Sequence, residues 1–112
     1  MQISFDKIEN FKKVTMVGRL DTAGVGQIEA QFSAGVVAGG QSTLLDLTEV
    51  EFLASLGVRM LISTARALST KGGRMVMYGA NPAVSDTIDA MGFDEIVPLT
   101  RSEPEAIALL QA

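Results

Sequence analysis

The sequence predicts a single α/β domain over residues 1–112, with one mixed β-sheet opened by an N-terminal hairpin and about four helices packed on it. Three observations predict it. Apolar residues alternate with polar ones at Ile3 and Phe5, which suits a half-buried strand, and run almost continuously at Leu44, Leu45 and Leu47, which suits a strand covered on both faces. Between candidate strands, apolar residues recur at helical spacing, as at Ile28, Phe32 and Val36. The segments follow one another after only a few residues, with no linker, repeat or low-complexity tract.

The elements read in order as β-β-α-β-α-β-α-β-α. Glu9-Asn10-Phe11 is a turn between the Ile3/Phe5 strand and a second strand over Val14 to Val17. Asp21 or Thr22 caps the first helix, and Gly39-Gly40 ends it. Leu44 to Leu47 is the central strand, and Thr48-Glu49-Val50-Glu51 is expected to be a short acidic loop. The next helix starts at Ser55, places Val58, Leu61, Ala65 and Leu68 on one side, and stops at Gly72-Gly73. Arg74 to Tyr78 is a strand. Asn81-Pro82 caps and opens a helix striped by Val84, Ile88 and Met91 and ended by Gly92. Ile96 and Val97 make a short strand. Ser102 and Glu105 have capping-box spacing before a last helix with Ile107 and Leu110 inward.

Composition narrows the function classes. A chain of 112 residues that is 47% hydrophobic and 20% charged has enough apolar side chains to fold around a core. Its net charge of −4 and pI near 4.6 argue against nucleic-acid binding, which needs clustered Lys and Arg. Without Cys or His there are no disulfides, no thiol chemistry, no zinc site of the usual kinds and no His-based triad. No acidic pair shows a metal-loop spacing, and the glycines complete neither a dinucleotide fingerprint nor a P-loop. Hence no cofactor is expected and the chain is read as non-enzymatic. Residues 1–10 are charged throughout and lack the apolar stretch of a signal peptide, and no apolar run approaches the roughly 18 residues of a membrane span. A cytoplasmic location is expected.

Ser55 is the residue on which the reading turns. It stands at the start of a helix directly after a buried strand. The first N–H groups of a helix lack internal partners and carry partial positive charge, so a hydroxyl there is either a cap or a place to put a phosphate. Taken alone, Ser55 reads first as a cap. It lies in Ala-Ser-Leu-Gly rather than Gly-x-Ser-x-Gly, with no histidine to activate it, which argues against a serine hydrolase. The six methionines read as core filler, and Glu49 and Glu51 as solvated charges.

The surrounding residues shift that balance. Asp46-Leu47-Thr48-Glu49-Val50-Glu51-Phe52-Leu53-Ala54-Ser55-Leu56-Gly57-Val58 resembles the STAS signature Asp-Leu-[Ser/Thr]-x-Val-x-Phe-[Ile/Leu/Met]-Asp-Ser-[Ser/Thr]-Gly-[Leu/Val] of the anti-sigma factor antagonists. Gly18-Arg19-Leu20-Asp21 is similar to the family's Gly-x-[Leu/Ile]-Asp before the first helix. Gly72-Gly73 through Tyr78, then Asn81-Pro82-Ala83-Val84, resembles its later strand and helix. The resemblance spans nearly the whole chain and implies a STAS-like fold. It also implies that Ser55 is phosphorylated by a serine-kinase-type anti-sigma factor, that phosphorylation breaks the complex of the two, and that a serine phosphatase acting on phospho-Ser55 resets it.

The contact face implied comprises Asp21, Thr22, Leu53, Ala54, Leu56, Gly57 and Arg59 around Ser55. The family's Asp before the serine is Ala54 here, and the Ser or Thr after it is Leu56. These departures keep a second reading open: a STAS module that binds a partner or a ligand without being phosphorylated, such as a soluble subunit of a lipid-transport complex. The apolar patch suits homodimerisation as well as partner binding.

Overall fold

A computed structural model describes all 112 residues. The chain opens with a hairpin, β1 (Gln2–Ile8) and β2 (Phe11–Leu20), paired antiparallel from Gln2↔Val17 to Ile8↔Phe11. Glu9 takes the left-handed conformation that the tight turn between them requires. Helix α1 (Thr22–Val37) follows and is closed by a short 3-10 turn, Ala38–Gly40, in which Gly39 and Gly40 have positive φ. Strand β3 (Thr43–Leu53), α2 (Ser55–Ser69), β4 (Met75–Tyr78), α3 (Pro82–Ala90), β5 (Leu99–Thr100) and α4 (Glu103–Gln111) complete the alternation. The element order is the one the sequence predicts. The sheet order is β1-β2-β3-β4-β5, and every pairing after the hairpin is parallel.

The continuous apolar run in β3 serves two compartments, one on each face of the sheet. Leu45 and Leu47 join Val14, Met16, Met77 and the inward stripes of α1, α2 and α3 in the main core. Leu44, with Val76 and Tyr78, faces the other way, under Ala106 and Leu110 of α4. A polar link ties α4 down beside this smaller core. Glu103 accepts from Lys13 Nζ at 2.8 Å and from the Tyr78 hydroxyl at 2.7 Å, with Asp46 3.9 Å from the same ammonium. On the opposite side, Lys12 Nζ donates to the Gly35 carbonyl at 2.7 Å and to the Ala38 carbonyl, completing the C-terminal end of α1.

Three expectations about elements are corrected. Thr48-Glu49-Val50-Glu51 is strand, not loop. β3 continues to Leu53 because its backbone stays paired with β2 through two irregularities, with Val17 opposite Glu49 and Arg19 opposite Phe52. Ile96 and Val97 do not form the last strand. They close a 3-10 turn, Phe93–Glu95, with Val97 buried and Ile96 exposed, and pairing with β4 begins only at Leu99, after Pro98. Met91 is 39% exposed at the end of α3, so only Val84 and Ile88 of the expected stripe enter the core.

Candidate functional site

The carboxyl ends of β2 and β3 lie side by side, and each leads straight into a helix. The Ala54 N–H donates to the Leu20 carbonyl at 3.0 Å, which brings the N-terminus of α2 next to that of α1. Gly57 makes this closeness possible. A Cβ at Gly57 would sit 2.8 Å from the Leu20 carbonyl oxygen and 2.9 Å from Leu20 Cγ. Two positive helix ends therefore point out of the same rim of an acidic protein.

The two ends are finished differently. Asp21 caps α1, its Oδ1 accepting from the Gly24 N–H at 2.8 Å. That bond, helped by the Arg19 guanidinium 3.6 Å from the other oxygen, holds the Asp21 carboxyl below its ordinary pKa. Helix α2 has no such cap. Its N-cap residue is Ala54, in extended conformation and with no side chain to accept, and Ser55 is the first helical residue. The expected cap role for Ser55 is thus corrected: its hydroxyl makes no hydrogen bond within the chain and is exposed. The first intrahelical bond belongs to Val58, so the amides of Ser55, Leu56 and Gly57 precede the ladder.

Around Ser55 the structure gathers Thr22, Ala54, Leu56 and Arg59 as exposed or half-buried positions, with Leu56 39% exposed. Leu53 and Gly57 are corrected. Leu53 is 2% exposed and belongs to the main core, and Gly57 is buried against Leu20, so neither presents a side chain to a partner. Two residues near the ends of β2 and β3 went unnamed as contact residues in the sequence reading. Phe52 is 37% exposed, with the Arg19 guanidinium 4.5 Å from its ring centroid. The signal for Phe52 was present in its motif position, but the bulged pairing of β2 with β3 decides which face it takes.

Ser55 lines none of the three surface clefts, and no acid–base pair converges on it. The Ser55 hydroxyl thus lies open on the surface at an uncapped helix start, beside exposed Leu56, and not inside a cavity. The STAS domain family model matches residues 2–106, and the chain belongs to that family. BtrV of Bordetella bronchiseptica, which is named as an anti-sigma factor antagonist, is 29% identical over 108 residues, 96% of this chain and 93% of that protein. A structure of an anti-sigma factor antagonist from Mycobacterium paratuberculosis is 25% identical and superposes with a TM-score of 0.89 over 99% of this chain and 94% of its own. The fold is also that of the anti-sigma factor antagonist SpoIIAA. Its unphosphorylated form matches at TM-score 0.77 and 21% identity, covering 98% of this chain and 96% of its own. The phosphorylated form, from Bacillus, matches at 0.65 and 20%, covering 96% and 97%.

Proposed function

We propose that this protein is a non-enzymatic anti-sigma factor antagonist of a cytoplasmic partner-switching pathway, acting as one STAS domain over its whole length. In this reading the rim formed by Thr22, Leu56, Arg59 and Phe52 binds a serine-kinase-type anti-sigma factor. The kinase transfers a phosphate to Ser55, the complex separates, and a serine phosphatase acting on phospho-Ser55 restores binding. The observation that carries the reading is the uncapped, exposed Ser55 at the first position of α2 beside exposed Leu56. The names of the relatives support the partner class.

The physics of the switch follows from that setting. Phosphorylation adds about −1.5 to −2 charges. At a helix N-terminus the dianion leaves the domain folded, because the free amides and the dipole favour it. In an apolar contact the same dianion has to be stripped of water, and a loss of about 3 kcal/mol weakens binding by more than a hundredfold. The effect is confined to the contact surface and needs no change of shape in the antagonist.

Mass spectrometry after incubation with a cognate kinase and ATP tests the acceptor. A single phosphate is expected on Ser55 and none on Ser55→Ala, and undiminished labelling of that mutant would move the site, with Thr48 and Ser63 next to be examined. Calorimetry with the purified partner tests the switch: Ser55→Glu should bind more weakly than wild type and Ser55→Ala at least as well. Equal affinities for all three would reject an electrostatic switch. Tight binding with no phosphate transfer would instead favour the partner-binding module without phosphorylation, to which Ala54 and Leu56 leave room.

A further inference from the structure

Three clefts indent the surface, of about 510, 290 and 560 Å³. In the first, the Lys12 ammonium is already engaged by the carbonyls that end α1. The second holds Arg66 and Arg74, but it lies at the C-terminal end of α2, where the dipole disfavours anions, and Arg74 donates to the Leu109 carbonyl at 3.1 Å. The third is different in both topology and chemistry.

It opens at the carboxyl ends of β4 and β5, beside Thr48 of β3, just past the last β3–β4 pair, Asp46↔Tyr78. From β4 the chain turns into α3, which packs with α1 and α2 on the main core. From β5 it turns into α4, which packs on the opposite face. Adjacent parallel strands that send their chains to opposite faces leave a crevice between them, and open α/β sheets take their ligands in such crevices. Gly79 shapes this one. Its φ is +80°, and a Cβ there would overlap Thr48 Cγ2, so only glycine lets the end of β4 turn this close to β3.

The wall carries one formal charge, Arg101, in a chain of net charge −4. Arg101 is exposed and forms neither an ion pair nor a hydrogen bond within the chain, and the nearby Ser85 hydroxyl likewise has no partner. The Thr48 hydroxyl donates to Asp46 at 2.6 Å and that of Thr100 to the Ser102 carbonyl at 3.0 Å, so each has spent its proton and keeps only acceptor capacity. A guanidinium beside a free hydroxyl donor suits a carboxylate or phosphate, and two acceptor hydroxyls suit the O–H groups of the body that carries it. One cation matches a single anionic group and not a polyphosphate. The volume leaves room for an organic portion against Ala80.

We propose that this cleft binds a small organic anion, its phosphate or carboxylate on Arg101 and Ser85 and its hydroxyl-bearing body against Thr48 and Thr100. The site is separate from the Ser55 rim, none of whose residues lines it, and it stands or falls independently of the phosphorylation reading. Two-dimensional amide NMR titration of the ¹⁵N-labelled protein with glycerol 3-phosphate, lactate and inorganic phosphate tests it. Saturable shifts at Gly79, Ala80, Ser85 and Arg101 with either organic probe are expected, and the effective probe identifies the head group. Arg101→Gln, which removes no contact of the folded chain, should weaken that binding about tenfold or more. The proposal is overturned by the absence of saturable shifts with both organic probes, or by equal affinity in Arg101→Gln. It also fails if shifts centre on Arg66 and Arg74, or if inorganic phosphate binds as well as the organic probes.

Discussion

Gly57 and Glu103 show how single side chains hold the site in place. The start of α2 rests directly on Leu20, and Gly57→Ala would press a methyl group against the Leu20 carbonyl oxygen at 2.8 Å. A loss of roughly 1–3 kcal/mol is expected, read as a lower urea midpoint at unchanged slope. An unaffected midpoint would mean that the helix start yields without cost. Glu103 makes a different prediction. Its hydrogen bond from Lys13, with the one from Tyr78, lowers its pKa in the folded chain. A depressed carboxyl contributes stability above its unfolded value, about 4.3, and that stability is lost as pH falls through the folded value. Lys13, bonded to Glu103, and Tyr78, chiefly through burial, are both raised. Their contributions are intact below about pH 10 and are lost as pH rises beyond it. Urea midpoints should therefore be level between those limits and fall on both sides. Glu103→Gln should blunt the acid limb, and an acid limb identical to wild type would assign it to other carboxylates.

At the scale of elements, α2 is the one long helix that begins without help. Asp21, Asn81 and Ser102 cap α1, α3 and α4 through their side chains, whereas Ala54 has nothing to offer α2. Ala54 already has the extended backbone of a capping residue, so Ala54→Asp should raise stability by about 0.5–2 kcal/mol and be visible as a higher melting temperature. The same carboxylate changes the charge beside Ser55, and we expect faster phosphorylation at fixed kinase concentration. A higher melting temperature with no change in rate would show position 54 to be structural alone. The helices, their caps at Asp21, Asn81 and Ser102, and the buried run of β3 were legible in the sequence, since each depends on neighbours in sequence. The far half of β3 was not. Glu49 and Glu51 are solvated, as their charge implies, yet their strand is held by pairing with β2 some thirty residues away, as the Val17↔Glu49 register shows. The same long-range pairing, with its irregular register, put Phe52 on the surface and Leu53 in the core. Motif position therefore placed Ser55 at the start of α2, but it could not show that Leu53 is buried or that Arg19 lies over the Phe52 ring.

Across the whole molecule, apolar burial is uneven. The face covered by α1, α2 and α3 includes Phe32, Leu61 and Phe93 fully buried, whereas α4 covers a cluster of only five buried residues. Local opening draws on the elements with the least burial, so α4 should open first. Hydrogen exchange is expected to be faster in α4 than in β3 or α2, and similar protection throughout would show a single cooperative unit. Leu110→Ala should cost less stability than Phe32→Ala, for which about 3–5 kcal/mol is expected. The way α4 is fastened has an optical consequence. Tyr78 is the only tyrosine and the chain has no tryptophan, so light absorbed at wavelengths too long for the five phenylalanines is emitted from the seam between the sheet and α4. A phenol hydrogen-bonded to a carboxylate is quenched by proton transfer in its excited state. Emission should therefore be dim while Glu103 holds the hydroxyl at 2.7 Å and brighten when α4 lifts. The protein thus carries its own lamp for that one motion, and label-free stopped-flow fluorescence can follow it as the isolated chain unfolds and refolds.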